Sequence, residues 1–299
     1  MAKNKYKVYF YSLIAITLWG LSYIWCDQLL GQGIRVEYFV FVRTMSAGII
    51  LAVFNLSIGK NLAVRRRDVP KFALLAFFEP FVYFICETYG IGLTESPTYS
   101  ALIIASTPIV ATAAGIFFFK EKLKAVNFIG IAICLVGLVL VTISADKVGD
   151  KFILGAILLC IAVFAEVGHA TVTKKLSFQY DPLIIVMYQF VIGTAYLFPI
   201  FLTRGLGGFS PELYLSWSVW RPILCLAVLC SSLSFSLWVT SIKELGVAKS
   251  SIFQAMIPVV TAIAGIILGS EKMTAMQWCG IAVAITGLLL TQYAGRKKG

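Results

Sequence analysis

Residues 100–140 read SALIIASTPIVATAAGIFFFKEKLKAVNFIGIAICLVGLVL, and residues 250–290 read SSIFQAMIPVVTAIAGIILGSEKMTAMQWCGIAVAITGLLL. Laid over one another at a constant offset of 150 with no gap, the two stretches share about 16 identities in 41 positions. They include Pro108 with Pro258, Gly115 with Gly265, Glu121-Lys122 with Glu271-Lys272, Gly130 with Gly280 and Gly137 with Gly287. Apolar letters match by chance in so restricted an alphabet; charged, proline and glycine matches at one fixed offset do not. The two stretches read as duplicates.

Each copy consists of two apolar segments joined by Glu-Lys, and the rest of the chain continues in the same style. Of 299 residues, 60% are hydrophobic and 13% charged, too apolar for a water-facing fold of this length, so the bilayer is the expected solvent. Crossing about 30 Å of hydrocarbon at 1.5 Å per residue takes about 20 residues. Ten such segments are expected at roughly 8–27, 37–58, 71–93, 98–119, 125–144, 152–173, 183–203, 221–242, 249–269 and 275–294. Five spans per copy is an odd number, so the second copy enters the membrane in the opposite direction. The expected fold is an all-α polytopic membrane protein of ten transmembrane helices, arranged as two inverted five-helix repeats over 1–146 and 147–299.

The net charge of +11 falls in short clusters between apolar runs, without the basic, aromatic-interleaved stripe of a nucleic-acid surface. Placing the N-terminus in the cytoplasm puts about 18 of the 25 basic residues on that side, around Arg65-Arg66-Arg67, Lys122, Lys174-Lys175, Lys243, Lys249 and both ends of the chain. A multi-pass inner-membrane protein with both termini cytoplasmic follows. Lys3, Lys5 and Lys7 before an apolar run resemble a secretory leader, but no small-x-small cleavage pattern ends the run, so it reads as the first retained span. The connection 204–220, with Gly207-Gly208 and Ser210-Pro211-Glu212, reads as a helix start along the interface carrying Tyr214, Trp217 and Trp220. Seven cysteines, all inside apolar runs, read as small buried hydrophobes rather than disulfide or metal ligands.

Leu18-Trp19-Gly20-Leu21-Ser22-Tyr23 in span 1, Phe41-Val42-Arg43 in span 2, the Ser106-Thr107-Pro108 and Met256-Ile257-Pro258 helices, and the closing Glu-Lys with a Gly-rich helix in each copy resemble the EamA-type, ten-helix members of the drug/metabolite transporter superfamily. The resemblance covers nearly the whole chain. It implies movement of amino acids, related metabolites, sugars or nucleosides through a central cavity, and fixes no substrate.

Ionisable groups at membrane depth are costly and mark candidate sites. Glu79, Tyr83 and Glu87 recur at i, i+4 and i+8 of span 3, on one broad stripe. A carboxyl there serves proton exchange or a substrate ammonium, or else bonds a neighbouring helix. Arg43 and Glu87 sit at similar depth and are expected to pair, unless the guanidinium orients a substrate carboxylate. Glu166 and the single histidine, His169, stand at i, i+3 of span 6 near the depth of Gln189; a proton relay and an interfacial hydrogen-bonded pair both fit. No second histidine or carboxylate cluster completes a metal site, and no cofactor motif is visible.

Pro108 and Pro258 fall near the centres of spans 4 and 9, where each removes a helix hydrogen bond, and they are the candidate hinges. Trp19 and Tyr23 share a face of span 1 as candidate ligand contacts, with Ser106, Thr107 and Gln254 as weaker polar ones. Glu121 and Glu271 read as capping, loop-closing residues. Gly130 and Gly137, and Gly280 and Gly287, offer close helix contact, either within the chain or in a homodimer.

The leading functional reading is a secondary transporter exporting amino acids or related small metabolites, with protons as a candidate coupling ion and lipids as surroundings. No phosphate-binding loop provides for direct use of ATP. A membrane-embedded enzyme and a non-transporting scaffold or lipid scramblase are the competing classes.

Overall fold

A computed structural model describes residues 2–110, 125–143, 149–245, 250–269 and 271–294. Glu121, Lys122, the end of the expected fourth span and the C-terminal basic residues lie outside the described residues.

The described chain is almost entirely helical: α1 (Ala2–Gly31), α2 (Val36–Ser57), α3 (Val69–Ala76), α4 (Tyr83–Thr94), α5 (Pro97–Ile104), α6 (Ala125–Ile143), α7 (Asp150–Ser177), α8 (Pro182–Ile200), α9 (Pro211–Tyr214), α10 (Trp217–Leu224), α11 (Phe235–Leu245), α12 (Ile257–Leu268) and α13 (Ala275–Ala294). Among the described residues six stretches are long and apolar enough to cross a membrane: Tyr6–Gly31, Val36–Ser57, Arg66–Thr94, Asp150–Ser177, Pro182–Gly205 and Trp217–Leu245. Four shorter apolar helices accompany them: Pro97–Val110, Ile129–Val141, Phe253–Leu268 and Ala275–Leu290. Ile153, Leu154, Ile157, Ile161 and Phe164 are exposed along α7, as side chains that face lipid, while polar side chains such as Thr44, Thr88, Thr173 and Ser231 turn inward. The chain is a multi-pass membrane protein.

Local sequence sets the helix starts. Ser96 accepts from the Tyr99 N–H at 3.2 Å with Pro97 next to it, and Asp181 accepts from the Leu183 N–H at 2.9 Å ahead of Pro182. In each, a short polar acceptor caps an orphan donor, and proline occupies the first turn, where its missing N–H costs nothing. The expected interfacial helix after Ser210 is a four-residue turn whose Tyr214 is buried edge-on against Tyr38, while Trp217 is exposed and opens α10. Cys160 and Cys279 are exposed, correcting the expectation that all seven cysteines are buried; both are on apolar helices, where a thiol meets lipid as readily as core.

Among the described residues three segments wind wider than an α-helix, in π-type turns: Phe77–Val82, Phe201–Gly205 and Cys225–Ser234. The first joins α3 to α4 and the third joins α10 to α11, and they occupy corresponding positions at the 150-residue offset. Their causes differ. Pro80 supplies no N–H and drives Glu79 to an extended φ of −148° and ψ of 121°, while Ser232 and Ser234 donate back to Ala227 and Leu229 carbonyls five residues earlier.

Glycines set the close approaches. A Cβ at Gly168 would meet the Phe78 ring at 2.8 Å and one at Gly193 would collide with Pro80, so the Phe77–Val82 turn nests against α7 and α8. Between α6 and α13, Gly137 faces the Ala284 backbone while Gly287 faces that of Cys134. These two contacts exchange under the 150-residue offset, and the helices run antiparallel. The Gly-rich faces therefore pack on each other within the chain.

Candidate functional site

Pro108 and Pro258 do not bend continuous helices at their centres. In the first copy α5 stops at Ile104, Ala105 and Ser106 form a turn, and helix resumes at Thr107. In the second, a 3-10 segment Ser251–Met256 precedes α12, with Pro258 in its first turn. Proline is best accommodated at a helix start, so the break falls ahead of it rather than at it. Two discontinuous helices result, and Glu166 of α7 reaches both breaks. Its Oε2 is 2.7 Å from Thr107 Oγ1, and its Oε1 accepts a short hydrogen bond from the Gln254 side-chain amide.

The expected Glu166–His169 pair does not form. Three residues of helix turn the two side chains to different neighbours, and His169 faces the wide turn at Glu79. His169 Nδ1 stands 3.0 Å from Glu79 Oε2, and its Nε2 is 3.1 Å from Gln189 Oε1 and 3.3 Å from Thr173 Oγ1. With the Gln189 amide in this orientation, Nε2 carries a hydrogen. A further proton then lies between Nδ1 and Oε2, since two bare lone pairs at that distance repel. Glu79 and His169 are 4% and 2% exposed, so the couple holds this proton away from bulk water.

The extended backbone at Glu79 removes its side chain from the expected stripe. Tyr83 and Glu87 remain on α4, where the Tyr83 hydroxyl donates to Glu87 Oε1 at 2.9 Å. The Tyr23 hydroxyl lies beside both without aligning on either. Arg43 and Glu87 make no ion pair, contrary to expectation. The guanidinium lies 3.8 Å over the Phe84 ring, one turn before Glu87, while its Nε donates to Ser231 Oγ at 3.1 Å and Nη1 reaches Cys26 Sγ at 4.0 Å. A ring face and a hydroxyl in the Cys225–Ser234 turn thus hold the cation, which suits the planar guanidinium.

Trp19 is wedged between Phe235 and Trp238 at 5.0 and 5.3 Å, and its indole N–H donates to the Cys230 carbonyl at 3.2 Å. Ser106 donates back to Ile103 O at 2.6 Å. Ser231, Phe84 and Thr173 are the site residues that the sequence reading missed. For Ser231 a signal existed, the run Ser231-Ser232-Leu233-Ser234-Phe235-Ser236 within an otherwise apolar span.

Two polar ties close the ends of the bundle. At one, Glu271 accepts from the Ser96 hydroxyl at 2.8 Å, from the Thr98 N–H at 3.2 Å and, by a short bond, from the Thr98 hydroxyl. Glu271 thereby caps α5 across the structure rather than its own loop, with Asp27 nearby. At the other end, Lys60 pairs with Asp181 at 2.5 Å, and Asp68 joins Lys71 at 2.7 Å and the Tyr180 hydroxyl at 2.8 Å. Among the described residues no group of three or more His, Cys, Asp or Glu side chains has a metal-binding arrangement.

The profile of the EamA-like transporter family matches the chain twice, over residues 6–143 and 153–293. The chain is 24% identical over 296 residues to the Bacillus subtilis uncharacterized transporter YetK, an alignment spanning 97% of this chain and 88% of that protein. It is 22% identical to a probable amino-acid metabolite efflux pump of Salmonella typhimurium, over 96% of this chain and 95% of the relative. With a probable terminal-alkyne amino-acid exporter of Streptantibioticus cattleyicolor it shares 26% identity, over 77% of this chain and 76% of that one. A protein crystal structure superposes with a TM-score of 0.70 at 14% identity, covering 98% of this chain and 99% of the other, a likeness of fold alone. With the family profile matched over nearly its whole length, and discontinuous helices meeting at buried charge, the chain belongs to the EamA-like transporter family.

Proposed function

We propose that this chain is a secondary transporter exporting amino acids or related small metabolites by alternating access, without direct use of ATP and without catalytic chemistry of its own. In this reading it has ten spans in two inverted five-helix repeats, 1–146 and 147–299, with both termini cytoplasmic. The double family match, the reciprocal α6–α13 contact and the corresponding π-type turns support the repeat.

One observation carries the transport reading: three buried polar contacts of the site span the two copies. Glu79 meets His169, Arg43 meets Ser231, and Thr107 meets Glu166. Groups so placed change partners when one copy rocks against the other, which gives a binding site two states. Glu79 and His169 are the proposed proton-coupling couple. Their bond ties the Phe77–Val82 turn to α7, and moving its proton alters the attraction between the copies. Glu87 serves the substrate side with Tyr23, Tyr83 and Arg43.

Thr173, His169 and Glu79 also have the order of a hydroxyl–imidazole–carboxylate triad, the one observation that favours a membrane enzyme. Thr173 is fully buried and shares Nε2 with Gln189, so its hydroxyl is not presented to a substrate.

Reconstituted protein supplied with a pooled amino-acid and metabolite mixture, with and without a pH gradient, tests the proposal. Saturable flux is expected; its absence for every compound in correctly folded vesicles rejects transport. Labelling of Thr173 by a hydroxyl-directed acylating or phosphonylating probe favours the enzyme instead.

A further inference from the structure

The buried carboxyls differ in what completes them. Glu79 has an imidazole at 3.0 Å, and Glu87 has a phenol donor at 2.9 Å and feels the charge of Arg43. Glu166 has neither. Among the described residues no basic side chain forms an ion pair with it, and its donors are Thr107 and Gln254.

Those donors do not suffice. A threonine hydroxyl carries one proton, yet Thr107 Oγ1 lies 2.7 Å from two acceptors, Ile104 O and Glu166 Oε2. The Gln254 amide turns its nitrogen to Glu166 and leaves its own oxygen, in the same amide group and beside the same carboxylate, without a partner. Gln254 is 3% exposed, so water at the surface does not serve that oxygen. An unpaired carbonyl oxygen and a carboxyl group with spare lone pairs therefore belong to one hydrogen-bonded pair of side chains between the two broken helices. The place lacks hydrogen donors, several at once, and it lacks positive charge.

We propose that Glu166, Gln254 and Thr107 form an ammonium subsite, which binds the protonated amine of the transported solute. This rests on the transport reading above and narrows its substrate class to amine-bearing compounds. An ammonium has three N–H donors in a compact cation, enough to serve Glu166 Oε1 or Oε2, Gln254 Oε1 and the Ile104 or Thr107 oxygen together. A hydroxyl in place of the amine brings one donor and no charge, and leaves the Gln254 oxygen or the carboxylate short. Because the acceptors come from both broken helices and α7, a bound amine also draws together the elements that rearrange.

The test compares matched pairs that differ only in the amine, L-phenylalanine against L-phenyllactate and L-leucine against its 2-hydroxy analogue, across the wild type, Glu166→Gln and Gln254→Leu. Equilibrium binding in detergent and counterflow in vesicles are both read. Wild type should prefer the amine of at least one pair by about 30-fold or more, the worth of a charge-assisted bond plus a rescued acceptor. Glu166→Gln should bring that preference to within about threefold, by loss of amine binding with the hydroxy acid unchanged. Gln254→Leu should reduce it in the same direction, and stands as the second variant if Glu166→Gln fails to fold. A preference that survives both substitutions, or no binding of any amine, overturns the subsite. Amine binding that depends on Glu166 without any flux overturns transport and leaves the subsite standing. Flux indifferent to Glu166 does the reverse.

Discussion

Glu79 Oε2 and His169 Nδ1 are 3.0 Å apart, one carried by a helix that has broken to deliver it and the other by the intact helix α7. Nothing in their spacing along the chain links them. The contact exists because Pro80 turns residue 79 off its helix and because Gly168 and Gly193 let that turn settle between α7 and α8.

Removing one partner leaves the other buried and unpaired. His169→Ala should lower stability by about 3–5 kcal/mol, read as a fall in melting temperature in detergent. Glu79→Gln, nearly isosteric, should melt closer to wild type and still catalyse substrate counterflow, but lose accumulation driven by a pH gradient. Full gradient-driven accumulation in Glu79→Gln would rule the couple out as the proton carrier.

Arg43 is held by its shape as well as its charge, flat on Phe84 and hydrogen-bonded to Ser231. Arg43→Lys keeps the charge but loses the stacked plane, at about 0.5–2 kcal/mol for the lost cation–π contact. Substrate affinity measured by counterflow should weaken by roughly threefold or more, and Ser231→Ala should shift it in the same direction. Wild-type affinity in Arg43→Lys would make the guanidinium incidental to binding.

The α6–α13 seam tolerates no side chain at Gly137 or Gly287, since each faces backbone. Gly137→Leu and Gly287→Leu should each destabilise by about 1–3 kcal/mol or abolish expression. A control is Gly31→Ala, which would meet nothing within 4 Å and should behave as wild type. Expression level and melting temperature across the three variants decide the matter.

Glu271→Ala strips the α5 start of its carboxylate acceptor and leaves Ser96 and Thr98 without it. A loss of about 1–3 kcal/mol is expected, and with it faster labelling of a cysteine placed at Tyr23 in a cysteine-free background by an impermeant maleimide added from outside. Unchanged labelling would mean that this tie does not hold that end of the bundle closed.

The sequence made the membrane setting and the family legible, because hydropathy and a fixed-offset repeat are one-dimensional signals. It also named Glu79, Glu166, His169, Arg43 and Gln254, since polar groups stand out in apolar spans. Their partners were not legible. Glu166 and His169 are neighbours at i, i+3, and helical geometry argues for a pair, but α7 faces two different breaks and each side chain answers its own. Arg43 and Glu87 share a depth, but Phe84 and Ser231 take the guanidinium first. A proline in a span announces a break without saying on which side of it the helix gives way; the answer, ahead of the proline, depends on which N–H groups have other acceptors.

The exchange of contacts across α6 and α13 has a further meaning. Gly137 meets Ala284 as Gly287 meets Cys134, so the surface is self-complementary in the isologous manner of a two-fold homodimer, although both sides belong to one polypeptide. A seam of that kind does not need the covalent link between its sides. Severed between residues 143 and 149, the two pieces would still present matching faces, and each would find in the other the partner that a half-length chain finds in its own copy.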